Sequence, residues 1–369
     1  MQVYVVIASI NQLENLKNIA DVVAGHTVKV LVIDEGDATI RKENAKILSS
    51  VPFEFYGPKE REQWFKDRFG QAFPKYLNII PQRCHAETSF GFLRAYEDQA
   101  NVTLEIDDDV YISNGFLKEH LDNLSNSSGV NVSSLAKWYN TIDNLQLTTD
   151  QRVFPRGHPY SPMCRDENYA WTREGGKCVL NMGLWSGQPD LDALTILYQG
   201  GLDGRCKMES EGCKKEKIVL ARGTYFAICS MNTAFFTKIV PSFYQLYMNF
   251  LGVDRFDDIW SGVFLKRVAD RVGDALCLGK PIGLHLKRPR NTFKDLKSEI
   301  NGLDMNEQVW RICEETELSA KTYADCYLEL ADYIEKNTKK LFTTPMQLDF
   351  WYAQTERMRR WVEVTDKIS

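Results

Sequence analysis

The chain of 369 residues is long enough for one large α/β catalytic domain with accessory elements and too long for a single small module. Its 45 Lys and Arg against 50 Asp and Glu leave a net charge of -5, which provides no basic field for wrapping nucleic acid and excludes that class of partner. Hydrophobic residues at 44% and charged ones at 26% are those of an ordinary globular chain, and no apolar run reaches the roughly 20 residues that cross a bilayer, so no transmembrane segment is expected.

The opening MQVYVVIASI lacks a basic start and a small-residue cleavage site, so Tyr4 to Ser9 reads as a first buried strand and not as a signal peptide. Nine cysteines, an odd number without a CxxC pair, fit a reducing compartment and a cytoplasmic location. Cys164, Cys178, Cys206 and Cys213 crowd one segment, but their spacing matches no usual zinc pattern. After the first strand, Asn11 and Glu14 resemble a capping box opening a helix with Leu13, Leu16, Ile19 and Val23 on its apolar face.

Val28 to Ile33 predicts a second strand that stops at Asp34, Glu35, Gly36 and Asp37, where a doubly wound sheet presents ligand-binding groups; a solvated turn has the same composition. Phe90 to Tyr96 predicts a helix, and Val102 to Ile106 a strand running straight into Asp107, Asp108 and Asp109. Three adjacent carboxylates repel one another and are best relieved by a cation. Strand alternation would let Asp107 and Asp109 converge on one metal while Asp108 points elsewhere.

Asn123 to Ser133, rich in Asn and Ser, predicts a surface loop. From Phe154 the chain becomes irregular, with Pro155 to Tyr160, Gly183 to Trp185 and Pro189 to Asp192 in segments of the kind that build sites. Gly223 to Asn232 reads as a buried strand or turn-strand, and Phe256 to Ser261 opens a helix whose first turn carries Asp257 and Asp258, a candidate acid/base pair. An apolar run from Pro281 ends at His285, and Lys287, Arg288 and Arg290 follow with charges suited to phosphates. Beyond Asp304 the pattern is helical: Tyr323, Cys326, Tyr327, Leu330 and Ile334 share one stripe, and a last helix lies around Phe350 to Val362.

In order along the chain, D-E-G-D at Asp34, F-G-F at Phe90, I-D-D-D at Ile106, R-G-H-P-Y-S at Arg156, G-L-W at Gly183 and P-D-L-D-A at Pro189 form a series. It continues with G-T-Y-F at Gly223, M-N-T-A-F at Met231, D-D-I-W at Asp257 and C-Y-L-E-L at Cys326. Each motif alone is weak, but the ordered series resembles the reversibly glycosylated polypeptide, or UDP-arabinopyranose mutase, family nearly end to end.

The resemblance implies an α/β fold with a GT-A-like doubly wound mixed sheet flanked by helices: a catalytic domain over 1–300 with a C-terminal helical region, 301–369, packed on it. It implies a UDP-sugar substrate, Mn2+ or Mg2+, no flavin, and interconversion of pyranose and furanose rings. A homo-oligomer or a complex with family members is allowed. The alternatives are a glycosyltransferase with a separate acceptor and a non-catalytic subunit; retention of Asp-Asp-Asp and Arg156 argues against the latter. On this reading Asp107, Asp109 and His285 hold the metal, while Asp34, Glu35, Asp107, Asp108, Lys287 and Arg288 bind the nucleotide. Trp185, Asp190, Asp192, Asn232 and Trp260 bind the sugar, and Asp257, Asp258 and Arg156 do the chemistry. Arg156 matches the family's glycosylated arginine, and it serves either as a covalent carrier or as a charge clamp. Three departures bear on which sugar is used: His158 and Met182 stand where Tyr and His are usual, and insertions surround Cys164 to Cys178 and Gly200 to Lys214.

Overall fold

The computed structural model describes residues 1–369. The apolar runs near the N-terminus form β1 (Gln2–Ser9) and β2 (Thr27–Asp34), whose interiors are buried as expected of parallel strands covered on both faces. With β3 (Phe53–Tyr56) and β4 (Val102–Ile106) they make a parallel quartet in the spatial order β3-β2-β1-β4. Ser9 pairs with Asp34, and Val6 with Glu105, so the carboxyl ends of β1, β2 and β4 lie side by side. That edge is where a doubly wound sheet binds its ligand.

The sheet then turns mixed. Strand Asn232–Phe236 runs antiparallel to β4 with Asn232 opposite Ile106, and strand Leu180–Gly187 runs antiparallel to it in turn. Strand Leu276–His285 lies parallel to Leu180–Gly187, and its last residue, His285, also pairs with Val110 just past the three aspartates. This is the mixed sheet flanked by helices that was expected, and its register brings His285 to the end of β4. No helix is long and apolar enough to cross a membrane.

Three long helices, Thr292–Glu315, Tyr323–Leu341 and Pro345–Ile368, close the chain, the last opened by a Thr344–Gln347 capping box. Residue 300 falls inside the first of them, and their apolar faces join the same hydrophobic core as the sheet. Trp351 lies against Trp260 of helix Asp257–Val272, and Trp361 stacks on Tyr244 at 5.0 Å. The C-terminal helices thus buttress the helix that carries Asp257 and Asp258.

Three local expectations are corrected. The N-terminal helix is broken into Glu14–Leu16 and Ile19–Val22, and Asn11 caps neither; Asn15 instead donates to the Asp107 and Val110 carbonyls, which ties this segment to the end of β4. Helix Phe116–Ser125 and strand Val130–Ser134 take up most of the segment expected as a surface loop. Thr224 to Met231 is buried outside any strand, and the strand begins only at Asn232.

Candidate active site

The carboxyl edge opens into a cavity of about 760 Å³ whose 25 lining residues include only 4 hydrophobic ones. A cavity so dominated by charge suits a charged polar ligand better than an apolar one. Its wall combines the ends of β1 and β2, the aspartates after β4, the Arg156 loop, the start of helix Asp257–Val272 and the segment from His285 to Arg290.

Arg156 is buried in this wall. Its Nε and Nη2 donate to the two oxygens of Asp190 at 3.2 and 3.1 Å, Nη1 and Nη2 face Asp258 at 3.5 and 3.4 Å, and Nη1 also donates to the Arg255 carbonyl. Burial opposes the guanidinium charge, but the two carboxylates raise its pKa well above the ordinary value. Burial likewise opposes charge on Asp190, yet Arg156 brings its pKa down to about 2. Asp258 moves the other way: burial, and Asp257 beside it, push its pKa up, although Arg156 pulls against them.

The loop after Arg156 reaches helix Asp257–Val272 only because residue 157 is glycine. Gly157 has φ +88°, and a Cβ there would stand 2.3 Å from Ile259 Cγ2. Gly157→Ala is expected to cost about 1–3 kcal/mol through that overlap and to lower turnover by moving Arg156; an unchanged melting temperature would contradict the packing. His158 next to it is buried between Trp138 and Phe154, with Nε2 bonded to the Cys164 carbonyl at 2.9 Å and Nδ1 unpartnered. Burial lowers its pKa from 6.5 to about 3, so its neutral form stabilises the fold above pH 6.5, and that stability is lost as pH falls toward 3. His158→Phe should therefore flatten the acid limb of stability by about 1.4 kcal/mol per pH unit in that window, measured by denaturant unfolding.

His85, which no sequence motif singled out, links the two acidic groups of the site. Its Nε2 lies 3.0 Å from Asp107 Oδ1 and its Nδ1 2.9 Å from Asp257 Oδ2. Burial opposes charge on the ring, but these carboxylates raise its pKa well above 6.5, and it in turn holds Asp107 below the ordinary carboxylate range. Behind it, Glu105 is wholly buried, and burial pushes its pKa up to about 8.

The expected convergence of Asp107, Asp109 and His285 is corrected. β4 ends at Ile106, and Val110 N–H donates to the Asp107 carbonyl at 3.2 Å, so the aspartates sit in a turn where strand alternation does not apply. Asp107 goes to His85, Asp108 to Ser9, Asn11 and Arg288, and only Asp109 faces His285, at 3.8 Å from Nε2. No three His, Cys, Asp or Glu side chains stand together in metal-holding geometry, the four crowded cysteines included. Lys287, on the same wall, is buried with no hydrogen-bonding partner, and burial lowers its pKa.

At the other end of the cavity, Glu35 accepts from buried Arg61 and from the Arg83 backbone N–H, the latter at 2.6 Å. Arg61 also bonds Glu87 at 2.9 Å, and burial pushes the Glu87 carboxyl up to about 8. Asp34 lies behind this wall and accepts from Gly36 N–H, shaping the turn without lining the cavity.

Four residues expected on the sugar do not line the cavity. Trp185 is a buried strand residue paired with Gly283, and Trp260 is a core residue whose Nε1 donates to Asn306 at 2.9 Å. Asn232 bonds His120 and the Leu184 and Pro281 carbonyls. Asp192 caps helix Ala193–Tyr198 and accepts from Tyr160. Strand register for Trp185 and Asn232, helix packing for Trp260 and a helix cap for Asp192 fix these side chains away from the opening. Asp190 does line it, but with both oxygens turned to Arg156.

Among curated proteins, the chain is 26% identical to UDP-arabinopyranose mutase 1 of Arabidopsis thaliana over 278 residues, covering 72% of this chain and 68% of that one. It is 25% identical to UDP-arabinopyranose mutase 1 of Oryza sativa subsp. japonica over 354 residues, covering 92% and 84%. Probable UDP-arabinopyranose mutase 4 of Arabidopsis thaliana is 23% identical over 358 residues, covering 93% and 85%. Among solved structures, apo mouse xyloside xylosyltransferase 1 aligns with 10% identity over 37% of this chain and 54% of that one, at a TM-score of 0.20, and adds nothing to the fold described above. The description of reversibly glycosylated polypeptides matches residues 2–369, and the chain belongs to that family.

Proposed function

We propose that this chain is a nucleotide-sugar mutase that interconverts the pyranose and furanose forms of a UDP-sugar, UDP-arabinose or a close analogue, without flavin. The observation that carries the reading is a buried arginine held between two carboxylates in the wall of a charged cavity. Ring contraction requires the anomeric carbon to leave its phosphate and to close on a different hydroxyl. The nucleotide must stay bound so that it can return.

Arg156 is the residue at the anomeric carbon. A guanidinium is a poor nucleophile unless it loses a proton, and Asp258, with its raised pKa and its oxygens 3.4 and 3.5 Å away, is the acceptor at hand. The Arg156 nitrogen bonds to C1 as the C1–oxygen bond breaks toward the diphosphate, and the nitrogen's proton passes to Asp258. The nitrogen lone pair then expels the ring oxygen, which takes the proton that Asp258 holds; the other hydroxyl closes on C1 and gives its proton back to Asp258, and the diphosphate displaces Arg156, which recovers that proton. Asp190 keeps the guanidinium oriented throughout.

Asp109 and His285 fit a divalent cation, Mn2+ or Mg2+: Nδ1 of His285 donates to the Gln188 carbonyl at 2.6 Å, which leaves the Nε2 lone pair facing Asp109. Such an ion supplies Lewis-acid neutralisation of diphosphate charge. Lys287 and Arg288 add charge-assisted contacts to the same group.

The test is incubation of the purified protein with a panel of UDP-sugars and no acceptor, followed by chromatographic separation of ring forms. Interconversion without accumulation of free UDP is expected, and EDTA should suppress it. UDP release that depends on an added acceptor would favour a glycosyltransferase, and activity untouched by EDTA would remove the metal from the account.

A further inference from the structure

Resting on that reading, we infer that Arg83 reads the base of the bound nucleotide and sets a preference for uracil over cytosine. Most cations in the cavity wall are already committed. Arg156 is held by Asp190 and Asp258, Arg255 by Glu299 at 2.6 Å, Arg288 by Asp108 at 2.5 Å and Arg290 by Asp295 at 3.0 Å. Arg61, behind the wall, is spent on Glu35 and Glu87. Two lining cations have side chains without a protein partner: Lys287, two residues past His285, and Arg83.

Arg83 stands at the opposite end from Lys287. Its backbone N–H is fixed on Glu35, the residue after β2, and β2 is separated from β4 by β1. Two strand spacings place that end about 10 Å from the Asp107 turn, the reach of a nucleoside away from its phosphates. Of the carboxylates lining this end, Glu35 and Glu87 are held by Arg61 and Asp37 caps the helix that follows β2, which leaves the exposed Arg83 as the free donor there. Arg83 also holds the left-handed φ of +54°, an uncommon conformation for a side-chain-bearing residue, and the Glu35 carboxylate secures it.

A guanidinium only donates hydrogen bonds. Set against position 4 of a pyrimidine, it pairs with the carbonyl of uracil and meets the amino group of cytosine donor to donor. Matching of this kind discriminates between bases by about tenfold or more.

The experiment measures UDP and CDP binding by calorimetry, at one fixed Mn2+ concentration, for the wild type, Arg83→Met and Arg83→Ala. The wild type should bind UDP at least about tenfold tighter than CDP. Both variants should bring the ratio close to one by losing UDP affinity, with CDP binding kept as the sign of an intact fold. A preference that survives in the variants overturns the inference. Equal weakening or joint loss of both nucleotides also overturns it, because it would put Arg83 on the phosphates or in the fold. A wild type without preference between the two nucleotides overturns it as well. A wild type that binds neither nucleotide overturns the mutase reading itself.

Discussion

Arg156→Lys should abolish ring interconversion while UDP binding falls by less than about tenfold. Lysine keeps the positive charge but not the planar fork that reaches both oxygens of Asp190 and, from the other side, Asp258. Loss of one preorganised donor costs about a hundredfold to a thousandfold in turnover, whereas loss of the only attachment point removes turnover altogether. Steady-state turnover and calorimetric UDP binding, measured on the same preparation, separate the two. Near-normal turnover in the variant would return Arg156 to a structural ion pair.

Asp258→Asn should lower turnover by about a hundredfold to ten-thousandfold, because the amide keeps the shape of the side chain but cannot take the guanidinium proton. Arg156 retains Asp190, and the amide oxygen keeps one of the two backbone N–H groups that Asp258 accepts from, Ser230 at 3.2 Å or Ile259 at 2.9 Å, so the exchange gives up one such bond. The melting temperature should therefore change far less than the rate. A variant that loses stability and activity in proportion would mean that Asp258 only holds the loop together.

The parts of this site that were legible in the sequence owe their legibility to local causes. Continuous apolar runs ending in Asp34 and in Asp107 can only be buried parallel strands emptying onto one edge. The irregular segment around Arg156, dense in Gly, Pro and aromatics, read as a site-building loop, but the role of Arg156 itself came from the resemblance carried by R-G-H-P-Y-S. His85 and Arg83 were not, because their meaning comes from partners distant in the chain: His85 from Asp107 and Asp257, 22 and 172 residues away, and Arg83 from Glu35, 48 residues away. Trp185, Trp260 and Asn232 misled in the opposite sense. They stand beside residues that line the cavity or within ordered motifs, but strand register and helix packing turn them into the core. The aspartates after β4 show both effects at once, since the cluster was evident but a tight turn sends its members to three different partners.

Peptide mass spectrometry of the wild type, mixed with the UDP-pentose it turns over and no acceptor, reads the covalent step itself. One pentosyl group is expected on the peptide containing Arg156, lost when excess UDP is added, with both ring forms of the nucleotide sugar appearing in solution. Ring interconversion that proceeds with the Arg156 peptide unmodified throughout, or a pentosyl group found on a different residue, would contradict it.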